Sequence, residues 1–379
     1  MDMSTEKRQL LRRYSFIKKL SGKIYYLATF VLRDGNAKLE LKKKKKGPLN
    51  VRSLTDTENK EVRRMWGNHV KGEWFSFYNA VKREKNLGFD ARYVPQNIQY
   101  CFIDDWFCNS REAYALDDKN MYDMYFHDVI QPKTIVRKVN GLYLDENYKE
   151  LSLEQVVEKC KKQNSVIIKP SVNMGAGNGI VFWNETDGEI LLLESLNQKS
   201  NCVVQEIIRQ HSALADLHKE SVNTIRMITC FLDGEMRVLS TIVRMGAGAS
   251  RLDNASAGGL FCGVQEDGRL KKYGYNKGGE SFEKHPQGGV FAECKIPNFE
   301  RCKNLVKMLA YRFVRVSRLI SWDLAIAEDG EPLLIEVNLC YGDVDIHQMA
   351  NGPLYGEYTE QIIRQVLNVK KYRRYKHWL

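Results

Sequence analysis

The cysteines of this 379-residue sequence form no C-x-x-C pair, and their number, nine, is odd. Both features argue against a disulfide framework and against a structural zinc site. The histidines also lack an H-x-x-x-H pair, so we expect His211, His218, His285 and His347 at the surface or in the core and not at zinc. Reduced cysteines predict a cytoplasmic location.

Long apolar runs are absent from the N-terminal region. Its longest uncharged apolar run has nine residues, from Ile24 to Leu32, and no small-residue cleavage site follows it. Nine residues are too few to span a bilayer. We therefore expect neither secretion nor a transmembrane anchor.

The net positive charge is concentrated in the first 60 residues. The formal net charge is +11, and residues 1–60 hold sixteen Lys or Arg against six Asp or Glu. A spacing of three and four residues between apolar positions in 7–33 predicts a basic amphipathic helix. That helix either docks on the body of the protein or lies on an anionic membrane as a peripheral contact. The run 42–46 predicts a solvated loop, with binding of anionic lipid or polymer as the alternative. We expect no nucleic-acid partner.

Hydrophobic content of 43% is ordinary for a globular protein, and the length allows several domains. We expect an α+β fold with a basic N-terminal segment (1–60), a helical preface (61–115), an N-terminal lobe (116–200) and a C-terminal lobe (201–379).

The stretch from Ser321 to Cys340 predicts a β-hairpin that carries polar side chains at its centre. Two short apolar strands, 322–327 and 333–337, flank a turn that contains Gly330. Side chains two apart on a strand share a face, so Glu336 and Asn338 point together, with Asp323 on the partner strand. Carboxylate and amide oxygens are ligands that suit Mg²⁺, with Mn²⁺ as an alternative.

A second polar signal follows the apolar strand 166–168. Lys169 ends this strand, and a small-residue loop with Ser171, Gly175 and Gly177 comes next. Glycines let backbone N–H groups approach phosphate oxygens, and the lysine adds a positive charge. The lysine precedes the glycines and no G-K-[ST] follows, so the pattern is not the common P-loop.

Two further strands complete the set of candidate residues. The strand 201–208 ends in Gln205, Glu206, Ile207 and Ile208, whose backbone groups are suited to reading an adenine edge, with Asp216 as a candidate for the ribose hydroxyls. In the strands 221–231 and 236–245, Arg226 and Arg244 are expected to face a common cleft and to clamp anionic oxygens. Asn254 lies in the small-residue loop that follows.

The order of these motifs resembles the ATP-grasp superfamily. Asp118-Lys119, Ile168-Lys169-Pro170, Gln205-Glu206, Asp323 and Glu336-Val337-Asn338 occur in the family's order over about residues 115–350. The resemblance implies an ATP-grasp fold in which ATP lies between two α+β lobes. Lys119 and Lys169 would contact the phosphates, and Asp323, Glu336 and Asn338 would bind two Mg²⁺ ions.

A narrower resemblance joins His211, Asn223-Thr224-Ile225-Arg226 and Asp253-Asn254 with Gly258-Gly259. These residues are similar to the sugar-transfer-associated ATP-grasp group, which is related to α-L-glutamate ligases and linked with exopolysaccharide. The resemblance implies an ATP-dependent ligase that joins a small-molecule carboxylate to an amine, with sugar-linked substrates. Two alternatives stay open, an ATP-grasp kinase that phosphorylates a hydroxyl and a non-catalytic ATP-binding adaptor at the membrane.

Overall fold

A computed structural model of the protein describes residues 5–67, 70, 72–83, 88–172 and 177–367. Helices α1 to α7 precede the first sheet: α1 Thr5–Lys45, α2 Asp56–Trp66, α3 Glu73–Arg83, α4 Gln96–Ile98, α5 Asp104–Phe107, α6 Ser110–Leu116 and α7 Tyr122–Tyr125. A π-helical turn, Gln99–Ile103, joins α4 to α5, and a 3₁₀ turn, Lys119–Met121, precedes α7. The remaining helices are α8 Leu153–Lys161, α9 Gly188–Asn197, α10 Ser212–Ala215, α11 Phe299–Phe313, α12 Val344–Asn351 and α13 Thr359–Leu367.

Two antiparallel sheets form the body of the protein. The first has the order β2-β1-β5-β3-β4 and consists of β1 Thr134–Val139, β2 Leu142–Leu144, β3 Ser165–Pro170, β4 Val181–Asn184 and β5 Cys202–Glu206. The second has the order β10-β9-β8-β7-β6-β11-β12 and consists of β6 Ile225–Leu232, β7 Glu235–Met245, β8 Leu260–Val264, β9 Leu270–Tyr275, β10 Ser281–Phe282, β11 Leu319–Ile326 and β12 Pro332–Asn338. The expected α+β fold is confirmed.

Each face of the seven-stranded sheet has its own core. Because successive side chains of a strand alternate between faces, Met227 packs with α11 in one core while Ile228 packs with the N-terminal helices in the other. Arg226 and Asp323 have the same alternation parity as Ile228 and Leu319, which lie in the core of the N-terminal helices. The charged residues of β6 and β11 therefore share the face that these helices cover.

The predicted hairpin is present as β11 and β12. Asp323 lies directly opposite Glu336 in the register, and Ser321 lies opposite Asn338. The predicted strand at 201–208 is shorter, since β5 ends at Glu206. β5 is hydrogen bonded between β1 and β3 in the first sheet, although it follows the boundary predicted between residues 200 and 201. The domain boundaries stay a prediction.

The predicted solvated loop at residues 42–46 is wrong, because α1 continues to Lys45. Lys44 is 2% exposed, and its ammonium lies 3.2 Å from a carboxylate oxygen of Asp345. A run of lysines gives no sign of which one a distant carboxylate will neutralise. Among the described residues, no helix has the length and apolar content needed to cross a bilayer.

The expectation of wholly reduced cysteines is wrong for one pair, since Cys108 and Cys340 form a disulfide. The other seven cysteines are free and buried. The bonded pair joins chain positions 232 residues apart, a proximity that cysteine spacing cannot predict. The cytoplasmic location stays a prediction.

Candidate functional site

A cleft of about 680 Å³ contains the ends of strands from both sheets. Nine residues named from the sequence line it: Lys119, Lys169, Gly177, Arg226, Arg244, Asn254, Asp323, Glu336 and Asn338. Lys169 comes from β3 of the five-stranded sheet, while the arginines and Asp323 come from the seven-stranded sheet. The cleft therefore brings together residues that are more than 200 positions apart in sequence.

Strand register places one row of charges across the seven-stranded sheet. Arg226 pairs with Asp323, and Asp323 pairs with Glu336, on three adjacent strands. Arg244 shares its strand face with Ile242, the register partner of Arg226. Antiparallel pairing alone thus aligns two arginines with two carboxylates.

The centre of this row is a buried ion cluster. The guanidinium of Arg226 donates two hydrogen bonds of 2.7 Å to the two carboxylate oxygens of Asp323, and Arg244 donates a third of 3.2 Å. Burial alone would raise the pKa of the Asp323 carboxyl, but both arginines lower it below its usual range. Arg226 also donates to Asp343, at 3.0 Å. Asp323 is therefore an anion in the folded protein.

Lys119 and Glu336 form a second ion pair in the cleft. The Lys119 ammonium lies 2.7 Å from a Glu336 oxygen. Burial alone would lower the pKa of Lys119, whereas the Glu336 carboxylate more than offsets this effect, so the pKa lies above its usual value. Lys119 is therefore charged at neutral pH.

Lys169 has no such partner among the described residues. Its ammonium donates to the amide oxygen of Gln205 at 3.2 Å, and the residue is 8% exposed. Burial, together with the positive charge of Lys119, lowers the pKa of Lys169 to about 8. A buried ammonium without an anion is costly. An anionic ligand in the cleft would reduce that cost.

Glu336 and Asn338 have side-chain oxygens that are suited to binding a divalent cation. Both side chains line the cleft, where each can offer an oxygen to a cation. Three N–H groups already occupy the Asp323 carboxylate, which has about four acceptor positions, so at most one is left for a cation. Mg²⁺ typically binds one or two protein carboxylates together with phosphate oxygens. In the described part of the chain, no group of three or more His, Cys, Asp or Glu residues is arranged to hold a metal ion.

The other predicted nucleotide contacts lie outside the cleft lining. The amide oxygen of Gln205 accepts a hydrogen bond from Lys169, which lines the cleft. A carboxylate oxygen of Glu206 accepts a hydrogen bond from the Lys133 backbone N–H at 3.0 Å. The backbone carbonyl of Ser171 accepts from the Lys119 N–H at 2.9 Å. Gly175 lies outside the described residues.

Ile207 and Ile208 are half-buried directly after β5. Asp216 lies at the end of α10, where its backbone carbonyl accepts from the Gly289 N–H at 2.8 Å. The roles of these three residues in binding adenine and ribose stay predictions.

Six polar or aromatic residues of the cleft were not identified from the sequence: Tyr114, Asp117, Asn178, Ser256, Tyr341 and Asp343. Burial, followed by the negative charge of Glu336, raises the pKa of Asp117 despite the opposing charge of Lys119. Asp117, Asn178 and Ser256 each lie within two positions of a residue that was identified, so proximity in sequence was an available signal. Tyr341 and Asp343 lie in the segment after β12, whose position depends on distant contacts.

The family described as "Sugar-transfer associated ATP-grasp" matches residues 105–363. No curated protein sequence matches the chain. Among solved structures, D-alanyl-alanine synthetase A from Vibrio cholerae O1 is 12% identical with a TM-score of 0.40, over 68% of this chain and 66% of that one.

Two further solved structures are similar at this level. Phosphoribosylamine–glycine ligase from Thermotoga maritima is 13% identical with a TM-score of 0.43, over 68% of this chain and 57% of that one. The ATP-grasp ligase PsnB in complex with a minimal precursor is 14% identical with a TM-score of 0.39, over 68% and 63%. In all three cases the match spans less than two thirds of the compared chain. These likenesses carry no statement about activity or substrates.

Proposed function

Because this chain belongs to the sugar-transfer associated ATP-grasp family, we propose that it is an ATP-dependent carboxylate–amine ligase. One observation carries the proposal: a single cleft holds the uncompensated Lys169 of one sheet opposite the row of charges on the other sheet. A polyphosphate chain suits such a site, because its negative charges complement the lysine and the arginines.

The proposed reaction has two steps. An oxygen of the carboxylate substrate attacks the γ-phosphorus of ATP, and the bond to the β-phosphate oxygen breaks, so that an acyl phosphate and ADP form. The nitrogen of the amine then attacks the acyl carbon, inorganic phosphate leaves, and the amine loses a proton. The product is an amide, and no nucleophile from the protein is required.

Lys119, Lys169 and Arg226 would bind the phosphates and neutralise the charge of the phosphoryl group in transfer. Arg244, with Asn254 on the loop beside it, would orient the carboxylate substrate. Glu336 and Asn338, with Asp323 as a further predicted ligand, would hold Mg²⁺, which supplies charge neutralisation at the phosphates when bound. The number of metal ions stays a prediction. A positioned donor of this type contributes about 10²–10³ to the rate.

The family description directs the substrate proposal toward sugars. We propose that one substrate is an amino acid and the other a sugar or uronic acid used in surface polysaccharide biosynthesis. The predicted contact of residues 1–60 with an anionic membrane is a separate proposal, which concerns helix α1.

Hydroxylamine trapping tests the acyl phosphate directly. The protein is incubated with ATP, Mg²⁺ and a panel of amino acids and uronic acids, and hydroxylamine replaces the amine substrate. We expect a hydroxamate together with ADP and inorganic phosphate for the correct carboxylate, and an amide when amino sugars or amino acids are supplied instead.

Two variants control for contaminating activity. Lys169→Met and Glu336→Gln are expected to abolish nearly all product while the circular dichroism spectrum stays unchanged. A phosphorylated acceptor in place of free phosphate would show a kinase. ATP consumption by either variant at the wild-type level, with substrate present, would contradict the site assignment.

A further inference from the structure

The C-terminal part of helix α1 docks on the body of the protein. The docked part begins at Phe30, whose ring lies 5.6 Å from that of Phe102. Five residues at intervals of three and four form its buried face: Phe30, Asp34, Ala37, Leu41 and Lys44. The ion pair between Lys44 and Asp345 fixes the end of this part to α12.

A stripe of exposed apolar side chains lies on α1 next to this docked face. Leu20, Ile24, Leu27 and Val31 are 47%, 60%, 40% and 51% exposed. Their spacing of four, three and four residues places them along one face of the helix. No described part of the chain covers this stripe, which we call the α1 stripe. Contiguous exposed apolar surface of this kind marks an interaction site.

The positive charge of the helix that carries the α1 stripe indicates that its partner is anionic. Helical residues 5–27 contain seven Lys or Arg and one Glu. Residues 368–379 contain five Lys or Arg and no acidic residue. A second copy of α1 and the chain's own C-terminal segment would therefore both meet like charge at the stripe. An anionic surface complements both the apolar face and the basic residues.

We propose that the α1 stripe binds the surface of an anionic lipid bilayer. An amphipathic helix that is rich in Lys and Arg lies in the plane of the interface, with its apolar side chains among the acyl chains and its basic side chains near the head groups. The exposed lysines Lys42, Lys43 and Lys45 extend the positive charge along the same helix.

The same helix links this surface to the cleft. The guanidinium of Arg33 lies 4.3 Å from the ring centre of Tyr341, which lines the cleft. Arg33 follows Val31 by two positions, about 200° around an α-helix, so the stripe and the contact with Tyr341 use different faces of α1. The proposal goes beyond the ligase assignment and does not depend on it, because lipid binding is measured without ATP or substrates.

Vesicle sedimentation with the full chain tests the proposal. We expect the protein to sediment with vesicles of 70% phosphatidylcholine and 30% phosphatidylglycerol but not with phosphatidylcholine alone, and high salt to weaken binding. The double variant Leu20→Ser with Ile24→Ser should lower the affinity at least tenfold, because two apolar side chains no longer enter the acyl region. Ile190→Ser, at a residue that is 76% exposed on α9, is the matched control and should bind as the wild type does.

Three results would overturn the proposal. The first is equal binding to neutral and anionic vesicles, and the second is unchanged binding of the double variant. The third is absence of wild-type binding. In that case two further measurements would show what covers the stripe instead. A dimeric mass by light scattering that becomes monomeric in the double variant would show a second copy on the stripe. Binding that appears only after residues 368–379 are removed would show that the C-terminal segment covers it. Unchanged urea midpoints would confirm that the variants fold.

Discussion

The two sheets that form the cleft differ in how their charged residues are paired. On the seven-stranded sheet, Arg226 and Arg244 are bonded to Asp323, and Glu336 is bonded to Lys119. On the five-stranded sheet, Lys169 is buried against the neutral amide of Gln205, and its pKa falls to about 8. The charges on one side of the cleft are paired by the fold, whereas no described anion forms an ion pair with Lys169 on the other side.

This difference assigns the two sides of the cleft different roles: the ion cluster contributes to stability, and Lys169 contributes to ligand binding. The ion cluster of the seven-stranded sheet joins side chains of three strands, β6, β7 and β11. The buried ammonium of Lys169 instead destabilises the ligand-free protein, and a bound anion would offset that destabilisation. Sites that are destabilising until a ligand arrives are common where stability and activity compete. The predictions below test the comparison at each side of the cleft.

The largest effect is expected for Asp323→Asn. The substitution keeps the shape of the side chain but leaves Arg226 and Arg244 without their shared carboxylate in a buried site. Breaking a buried ion pair in this way costs about 3–5 kcal/mol of the free energy of unfolding. Urea denaturation monitored by circular dichroism measures this loss.

Asp128→Asn is the matched control, since Asp128 pairs with Arg312 at the surface, at 2.8 Å. Solvent screens that pair, so the control should lose far less stability than Asp323→Asn. Equal losses in the two variants would show that the buried cluster does not stabilise the fold.

Lys169→Met should raise the free energy of unfolding, whereas Asp323→Asn lowers it. The pKa of Lys169 is about 8 in the folded protein and about 10.4 in the unfolded chain. Below pH 8 both states are protonated, and the folded state bears the full cost of the buried charge. Between the two values the folded state loses its proton first, so wild-type stability rises with pH. At pH 7 the variant should therefore gain about 1–3 kcal/mol, a gain that disappears by about pH 10.5.

Lys119→Met sharpens this comparison, because the pKa of Lys119 is raised by its partner Glu336. A raised pKa means that the ammonium stabilises the fold at neutral pH and that this contribution is lost as pH rises through the folded value. The variant should lose stability at pH 7. Urea midpoints that shift in the same direction for both lysine variants would refute the proposed asymmetry.

A smaller effect is expected on the pH dependence of ADP binding. Above pH 8 the free protein must take up a proton at Lys169 to bind an anion, so the Kd should rise up to about tenfold per pH unit. The charged groups that act on Lys169 are Lys119, Glu336 and Asp253. Calorimetry at pH 7 to 9 measures the change. Lys169→Arg stays protonated throughout this range and should show no such rise; a parallel rise in this variant would assign the titration to another group.

The local parts of the site could be predicted from the sequence, and the distant contacts could not. The two apolar runs between Ser321 and Cys340 and the turn that joins them predict the hairpin, and the hairpin places Asp323 opposite Glu336. The pattern contains no information on the bonds from Arg226 to Asp323, because β6 reaches β11 only through the sheet topology.

The same limit explains the residues that were missed. Tyr341 and Asp343 reach the cleft through the Cys108–Cys340 bond, the stacking of Arg33 on Tyr341 and the pair between Arg226 and Asp343. Each of these contacts joins residues that are far apart in the chain. The assignment of Asp216 rested on its order in the sequence, and the structure places this residue outside the cleft lining.

Nucleotide titration with and without Mg²⁺ tests most directly whether the two sheets bind ATP between them. A fluorescent ATP analogue is titrated into the wild type, Lys169→Met and Glu336→Gln, first with EDTA and then with Mg²⁺. We predict that Lys169→Met loses affinity under both conditions, since the proposed role of the lysine is to contact the phosphates themselves. Glu336→Gln should lose only the gain in affinity that Mg²⁺ gives to the wild type. Wild-type affinity of both variants under both conditions would contradict the account.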